Sequence, residues 1–425
     1  MIFKKKKENK KSFLDKIKKL FIVEEEESTP NKVVPSKKVF TKFEMFFFCF
    51  ITLIGGLVLG CFLTMYTGFV YGGRIDGYAS EFLSTYNYVK DNYYDEVDEK
   101  KLIDSAISGM LNSLGDEHSY YMDEESTSSF NTSVDGKYVG VGITIRYEDD
   151  KTTIIDMFKN SPAEKAGLKV DDVIIKVNGK DVTKENSSKI AELISGEIGK
   201  KVTITVLRGE EKLEFKTTLA EIEIESVETE LKEVDGKKIG YIRIDNFASN
   251  TYKQFNSKLT KLEKNNIDSL IIDVRGNTGG HLSQVTEILD MFFDKKTVLY
   301  QIETKGKKVK YRAKTSDKRE YPVAILVNHA SASASEVLTA CFMDNYKDVT
   351  VVGTTTYGKG TVQKAYNLSS GASYKFTTQK WLTPKGKWIN KKGITPTIVV
   401  ELPEEETLED VQLNEAINQL KIKES

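Results

Sequence analysis

The chain has 425 residues, of which 39% are hydrophobic and 29% are charged, and its formal net charge at pH 7 is −1. This length exceeds that of one typical domain and predicts two or three. The balanced charge argues against nucleic acid as a partner, because phosphate binding needs a concentrated basic face.

A long uncharged segment follows the lysine-rich amino terminus. We expect residues 1–43 to form a cytoplasmic tail and residues 44–71 to form a transmembrane helix, because the apolar run exceeds the roughly 20 residues that cross a bilayer. By the positive-inside rule, the chain beyond this helix lies outside the cytoplasm. The sequence therefore predicts a single-pass membrane protein with an extracytoplasmic body.

Three alternatives to the membrane helix stay open. A cleaved signal peptide normally has a shorter apolar core. The run Leu57–Cys61 resembles a bacterial lipid-attachment site, although apolar residues continue beyond it. A buried core helix of this length is rare. Outside this segment Cys341 has no cysteine partner, so we expect it to be a core residue and expect no intramolecular disulfide there.

Residues 72–133 are predicted to form a helical segment. The apolar residues recur at helical spacing, and they are Ile103, Ile107, Met110, Leu111 and Leu114. Gly115-Asp116 interrupts this pattern. The polar stretch from Asp123 to Asp135 is interpreted as a linker or a mobile loop.

Residues 134–221 consist of short β-rich runs separated by turns. The run Tyr138-Val139-Gly140-Val141-Gly142-Ile143 opens this region, and the later segments Ser161-Pro162-Ala163 and Ala166-Gly167-Leu168 follow in order. Together they resemble a PDZ domain. The glycines let backbone N–H groups converge where a terminal carboxylate can bind, and the peptide then extends a sheet edge. The resemblance implies that residues 138–143 bind substrate.

Residues 222–403 alternate apolar strands with helices, which predicts an α/β core. Strands are expected at 238–244, 269–274 and 322–328, and a helix at 252–262. Residues 404–425 are predicted to form a terminal helix. Its apolar face, which must dock on another element, consists of Leu413, Ala416, Ile417 and Leu420.

Two segments indicate a serine nucleophile activated by a lysine. Ser331-Ala-Ser-Ala-Ser-Glu336 follows a predicted strand and opens a helix, and Lys359 lies between Gly358 and Gly360 further on. A serine hydroxyl is a weak nucleophile until a neighbour takes its proton, and a buried, neutral lysine amine can do so. Ser331 and Ser335 are interpreted as capping or packing residues, and Glu336 as structural.

The segment from Asp273 to Gly280 ends a strand in a glycine-rich turn that can present N–H groups to a developing negative charge. It matches neither a dinucleotide-binding fingerprint nor a P-loop. No zinc-binding motif is found, so we expect no metal and no cofactor.

These motifs, with Gly115–Tyr121, Tyr357–Gln363 and Gly393–Pro396, resemble the carboxyl-terminal processing proteases, the S41 serine peptidases, over residues 80 to 420. The resemblance implies an α/β protease core related to Clp protease and crotonase-like folds, a β-rich PDZ domain, and helical amino- and carboxyl-terminal segments. It implies catalytic Ser333 and Lys359, with Gln363 positioning the lysine. The oxyanion hole then involves Gly279, Gly280 and Ala334.

The resemblance also implies protein substrates with apolar carboxyl termini and leaves a homodimer open. The chain has three histidines, and two of them, His281 and His329, remain rival bases. The main alternative function is a catalytically inert PDZ scaffold that recruits outward-facing partners, and a weaker one is an acyl-transfer or hydratase enzyme, since crotonase-like folds host such chemistry.

Overall fold

The structure is a computed structural model that describes residues 42–71, 77–315, 318–401 and 409–422. Residues 1–41 of the predicted cytoplasmic tail lie outside the described residues. The chain divides into two compact units between Val97 and Asp98, and each unit is described by itself.

The first unit contributes two helices, α1 (Lys42–Tyr71) and α2 (Gly77–Asn92). Within α1 the stretch Met45–Leu63 has a mean hydropathy of 2.5. Its side chains are exposed, as expected for a helix whose apolar surface faces lipid. By length and composition, α1 can cross a membrane.

The second unit begins with α3 (Glu99–Asn112), β1 (Tyr120–Met122) and α4 (Glu124–Asp135). The expectation of a loop from Asp123 to Asp135 is therefore wrong. This polar segment has weak helix propensity, but Asp123 accepts a hydrogen bond from the Ser126 N–H at 2.8 Å. Thr127 is buried against Ser373, with 2.8 Å between their hydroxyl oxygens. Caps and tertiary contacts thus decide the structure where propensity does not.

A β-rich module follows. Its elements are β2 (Lys137–Gly140), β3 (Ile143–Glu148), β4 (Lys151–Met157), α5 (Pro162–Ala166), β5 (Val173–Val177), β6 (Lys180–Asp181), α6 (Ser187–Leu193), β7 (Lys201–Arg208), β8 (Glu211–Thr218) and β9 (Ala220–Glu223). The main sheet has the order β3-β4-β5-β7-β8, with β6 on β5, while β2 pairs with β9. Aliphatic side chains from its strands and helices, including Ile154, Ile190 and Ile204, form a separate hydrophobic core.

The α/β core comprises β10 (Val227–Val234), β11 (Lys237–Ile244), α7 (Thr251–Glu263), β12 (Ser269–Asp273), α8 (Leu282–Asp290), β13 (Val298–Thr304), β14 (Lys307–Arg312), β15 (Val323–Val327), α9 (Ala334–Asn345), β16 (Val349–Gly353), β17 (Thr361–Asn367), β18 (Ser373–Leu382) and β19 (Ile398–Val399). The central sheet has the order β10-β11-β12-β15-β16-β19. All neighbours are parallel except β10 and β11. Every residue of β12 and β15 is buried, as in strands covered on both faces.

A second sheet of order β1-β18-β13-β14, with β17 paired to β18, extends the core. Trp381 at the end of β18 is fully buried in the main hydrophobic cluster, which also holds Cys341, as predicted.

The last helix, α10 (Val411–Ile422), packs on the central sheet. Ala416 and Leu420 are buried, and Leu413 and Ile417 pack beside them against Ile271 and Leu326, as the helical spacing predicts.

Candidate active site

Three neighbouring parallel strands end at the same edge of the central sheet. They are β12, β15 and β16, and they pair in that order. The segments that follow them carry the predicted glycine turn, nucleophile and base. In open α/β sheets the loops at the carboxyl ends of parallel strands form the ligand crevice, so the fold brings three separate motifs to one place.

Ser333 directly precedes α9 and has a strained backbone, with φ of 53° and ψ of −111°. Such a conformation costs a residue other than glycine about 1–3 kcal/mol, so the surroundings must hold it. Ser331 and Ser335 contribute, since both are fully buried. Their hydroxyls donate to the carbonyls of Val274 at 2.8 Å and Asn277 at 2.9 Å. Strain at a serine between strand and helix is typical of nucleophiles.

The glycine turn after β12 packs against Ser333. Gly279 has φ of 107°, and a Cβ there would lie 2.8 Å from Ser333 Cβ, so only glycine fits. Its N–H donates to Asn277 Oδ1 at 2.8 Å. The N–H groups of Gly280 and Ala334 have no hydrogen-bond partner among the described residues. Of the three predicted oxyanion amides, these two are available in this conformation.

A buried carboxylate joins the serine to the lysine segment. Glu336 is fully buried, and its Oε2 accepts hydrogen bonds from the backbone N–H groups of Ser333 at 2.9 Å and Lys359 at 2.8 Å. Its Oε1 accepts from the Gly358 N–H at 2.7 Å and the Thr356 hydroxyl at 2.6 Å. Four donors compensate the buried charge. The structural interpretation of Glu336 fits this arrangement, in which Ser333 and Glu336 have the Ser-x-x-Glu spacing of a capping box.

Lys359 lies partly buried between β16 and β17. Burial lowers the pKa of its ammonium, and the nearby charge of Lys375 lowers it further, against the opposing effect of Asp116. The neutral amine that a general base requires is therefore easier to form than on an exposed lysine. The Trp381 indole N–H donates to the Lys359 carbonyl at 2.6 Å, which helps to hold the backbone.

Gln363 lies on β17, four residues after the lysine. Its side-chain amide donates to the hydroxyls of Thr361 at 2.9 Å and Thr377 at 3.0 Å. In the part of the chain that the structure describes, neither Ser333 nor Gln363 forms a hydrogen bond with the Lys359 ammonium. Catalytic hydrogen bonds in enzymes without substrate are often long and tighten on binding.

A second polar network reaches this site from the segment before α4. The Ser119 hydroxyl donates to Asp116 Oδ2 at 2.5 Å and accepts from the Thr377 N–H at 3.0 Å. Burial opposes ionisation of Asp116, but hydrogen bonds from Ser119 and Thr377 outweigh it and lower the pKa of the carboxyl. No role for these residues was predicted from the sequence. The Gly115–Tyr121 motif was the only signal for them.

His118 lines a cavity of about 380 Å³ beside the lysine loop, together with Glu117 and Tyr357. Burial lowers the pKa of this imidazole, and the charge of Lys359 lowers it further. Among the described residues, none of the three histidines forms a hydrogen bond with Ser333, and no cluster of His, Cys, Asp or Glu could hold a metal ion.

The predicted peptide-binding run spans the end of β2 and the start of β3. Gly142 has φ of 81°, and a Cβ there would lie 2.5 Å from Ser161 Cβ. Within the described residues β3 pairs only with β4, so it is an open edge strand, and α6 contacts it. An edge strand beside a helix can accept an extended peptide. Tyr138 lies partly buried on β2, where burial raises the pKa of its hydroxyl to about 12.

The architecture is that of an α/β serine hydrolase with an inserted β module. Residues 238–400 match the model of peptidase family S41, residues 139–219 that of a PDZ domain, and residues 78–126 that of the activating protease CtpB N-terminal domain.

Two bacterial relatives agree with these matches. Carboxy-terminal processing protease CtpB of Bacillus subtilis (strain 168) is 40% identical over 336 residues, which cover 78% of this chain and 70% of CtpB. CtpA of the same organism is 36% identical over 366 residues, which cover 85% of this chain and 78% of CtpA. The solved photosystem II D1 C-terminal processing protease has a TM-score of 0.44 and 26% identity, covering 76% of this chain and 94% of its own. The chain belongs to the carboxy-terminal processing proteases of family S41, which are serine peptidases.

Proposed function

We propose that this chain is a membrane-anchored endopeptidase in which Ser333 is the nucleophile and Lys359 the general base. The observation that carries this proposal is the Glu336 carboxylate, which accepts the backbone N–H groups of both residues. Because both backbone segments bind one buried carboxylate, their positions relative to each other are fixed. Intramolecular proton transfer requires such fixed geometry.

In the proposed reaction, neutral Lys359 takes the proton of the Ser333 hydroxyl as its Oγ attacks the scissile carbonyl. The N–H groups of Gly280 and Ala334 hold the oxyanion, helped by the positive amino-terminal end of α9. The lysine then gives its proton to the leaving amine, which leaves an acyl-enzyme. Water activated by the same amine hydrolyses the ester and restores the serine.

We assign Gln363 the role of orienting the lysine. Its NH₂ group donates to Thr361 and Thr377, which leaves the carbonyl oxygen Oε1 as the acceptor for the lysine ammonium. The two threonines therefore determine which end of the amide can meet Lys359 when substrate binds.

The PDZ module is proposed to capture the substrate. Its open edge strand β3 and the Gly142 turn suit an extended peptide that ends in a free carboxylate and apolar residues. The helix α1 is proposed as the membrane anchor, with the amino terminus in the cytoplasm and the protease outside.

Cleavage of an unfolded protein with an apolar carboxyl terminus by the full-length protein in detergent tests the dyad. Ser333→Ala and Lys359→Ala should each lower kcat at least about 1,000-fold while the protein stays folded, as a cooperative thermal unfolding transition shows. Lys380→Ala is the matched control, since Lys380 lies on β18 with its ammonium over the Trp388 ring. Wild-type turnover in either dyad variant would contradict the proposal.

A further inference from the structure

A second lysine lies on the hairpin that carries Gln363. Lys375 lies on β18, where it pairs with Ala365 of β17 and with Tyr120 of β1. Side chains alternate along a strand, so Lys375 projects from the same face as Thr377, which binds Gln363. The ammonium of Lys375 therefore lies on the side of the hairpin that serves the active site.

Two aromatic rings hold this ammonium in place. Lys375 Nζ lies 4.4 Å from the centroid of the Tyr120 ring and 4.8 Å from that of Phe130. Aromatic faces attract a cation without neutralising it. Within the described residues no carboxylate forms an ion pair with Lys375, so no paired carboxylate offsets its positive charge.

The other charged groups around Lys359 are mostly acidic. Besides Lys375, the carboxylates of Asp116, Glu117 and Glu336 act on it, and the imidazole of His118 is close enough to be affected by it. Three carboxylates favour a protonated lysine, which cannot accept the serine proton. Burial and the charge of Lys375 act in the opposite direction, and the pKa of Lys359 is lowered as a result.

We propose that Lys375 is a positioning residue for proteolysis: held over Tyr120 and Phe130, it disfavours a second positive charge on Lys359 and so keeps the base neutral. The inference rests on the proposed Ser333–Lys359 dyad. Asp116 is the opposing group, since its carboxylate stabilises the protonated lysine. The reactive pH range then depends on the burial of Lys359 and on the balance between Lys375 and the three carboxylates, of which Asp116 has the largest effect.

The test is the rate at which a fluorophosphonate probe modifies full-length protein in detergent, measured across pH. Lys375→Met should move the midpoint of the acidic limb upward by about one pH unit and slow labelling about tenfold below it. Lys375→Arg should keep the wild-type midpoint, because the charge remains. Asp116→Asn should move the midpoint to lower pH. Lys380→Met, which removes a lysine from the same strand, should leave it unchanged.

A purely structural role for Lys375 would lower the rate at every pH without moving the midpoint, and that result overturns the inference. A wild-type midpoint in Lys375→Met also overturns the inference. If Lys359→Met is unreactive in the same experiment, the proposed Ser333–Lys359 dyad still stands. Labelling of Lys359→Met at the wild-type rate removes the dyad itself. If Lys375→Met does not fold, Lys375→Gln takes its place, and an unchanged midpoint in that folded variant contradicts the proposal.

Discussion

Ser333 and Lys359 donate their backbone N–H groups to the same carboxylate oxygen, Oε2 of Glu336, at 2.9 Å and 2.8 Å. The two residues lie 26 positions apart and follow different strands of the central sheet. Glu336 therefore couples the strained serine backbone to the lysine loop, and disturbing one is expected to disturb the other.

Glu336→Gln should impair both activity and stability. A glutamine side chain offers one acceptor oxygen in place of two, so its NH₂ group would face N–H donors. We expect a fall in kcat of at least about 100-fold and a loss of about 1–3 kcal/mol in the free energy of unfolding. Peptide cleavage and thermal unfolding measure these effects. Glu287→Gln, an exposed position on α8, is the control, and equal behaviour of both variants would refute the coupling role.

Arg275→Met should destabilise the carboxyl-terminal helix. Arg275 bridges Asp273, which is fully buried, and Asp410, with distances of 2.6 Å and 2.7 Å. Removing the cation leaves a buried carboxylate unpaired, which costs about 3–5 kcal/mol. Arg243→Met removes a comparable pair with Asp245, whose side chains are 42% and 40% exposed, and should cost less than about 1 kcal/mol.

Urea unfolding measures the difference between these two arginine variants, and amide exchange in α10 shows where the structure loosens. Similar losses in both variants, or unchanged exchange in α10 after Arg275→Met, would show that the buried cluster does not hold the helix.

Lys359→Met should stabilise the fold at neutral pH while it removes activity. The pKa of Lys359 is lower in the folded protein than the usual 10.5. Between the folded and the unfolded pKa, the unfolded chain binds more protons than the folded protein, so the free energy of unfolding rises with pH across that window. Below this pH window Lys359 is protonated in both states, so the full free-energy penalty of burying its ammonium destabilises the fold. The advantage of Lys359→Met should shrink as pH approaches 10.5. Thermal unfolding across pH measures it, and a constant difference from wild type would contradict the assignment.

The PDZ module should distinguish a free carboxyl terminus from an amide. In the Ser333→Ala background, a labelled apolar peptide with a free terminus should bind at least tenfold more tightly than its amidated form, or about 1.4 kcal/mol. Gly142→Val should abolish this preference, because a side chain there meets Ser161. Gly209→Ala alters a turn where an added Cβ would meet no atom within 4 Å and should preserve it. Equal affinities in fluorescence anisotropy would exclude carboxylate recognition.

Local patterns were enough to predict much of the core. The apolar strands ending at Asp273 and Val327 and the terminal helix face around Ala416 match the structure within one or two residues. That the glycine turn and the lysine loop accompany Ser333 was expected from the family resemblance alone. The parallel sheet gives the physical reason, because each of the three segments follows one of its strands.

Contacts between distant segments could not be predicted. The helix from Glu124 to Asp135 was mistaken for a loop because Thr127 gains its partner, Ser373, from 246 positions away. Asp410 likewise reaches Arg275 over 135 positions. A chain of hydrogen bonds from Asp116 through Ser119 to Thr377 depends on β1 pairing with β18, and no local periodicity reports that pairing.

The proposed reaction requires that Lys359 activates Ser333. Mass spectrometry of the full-length protein after reaction with a fluorophosphonate tests it most directly, because the probe needs only an activated serine. We expect one adduct, on Ser333, in the wild type and none in Lys359→Met. An adduct on another serine, or an equally modified Ser333 in Lys359→Met, would contradict it.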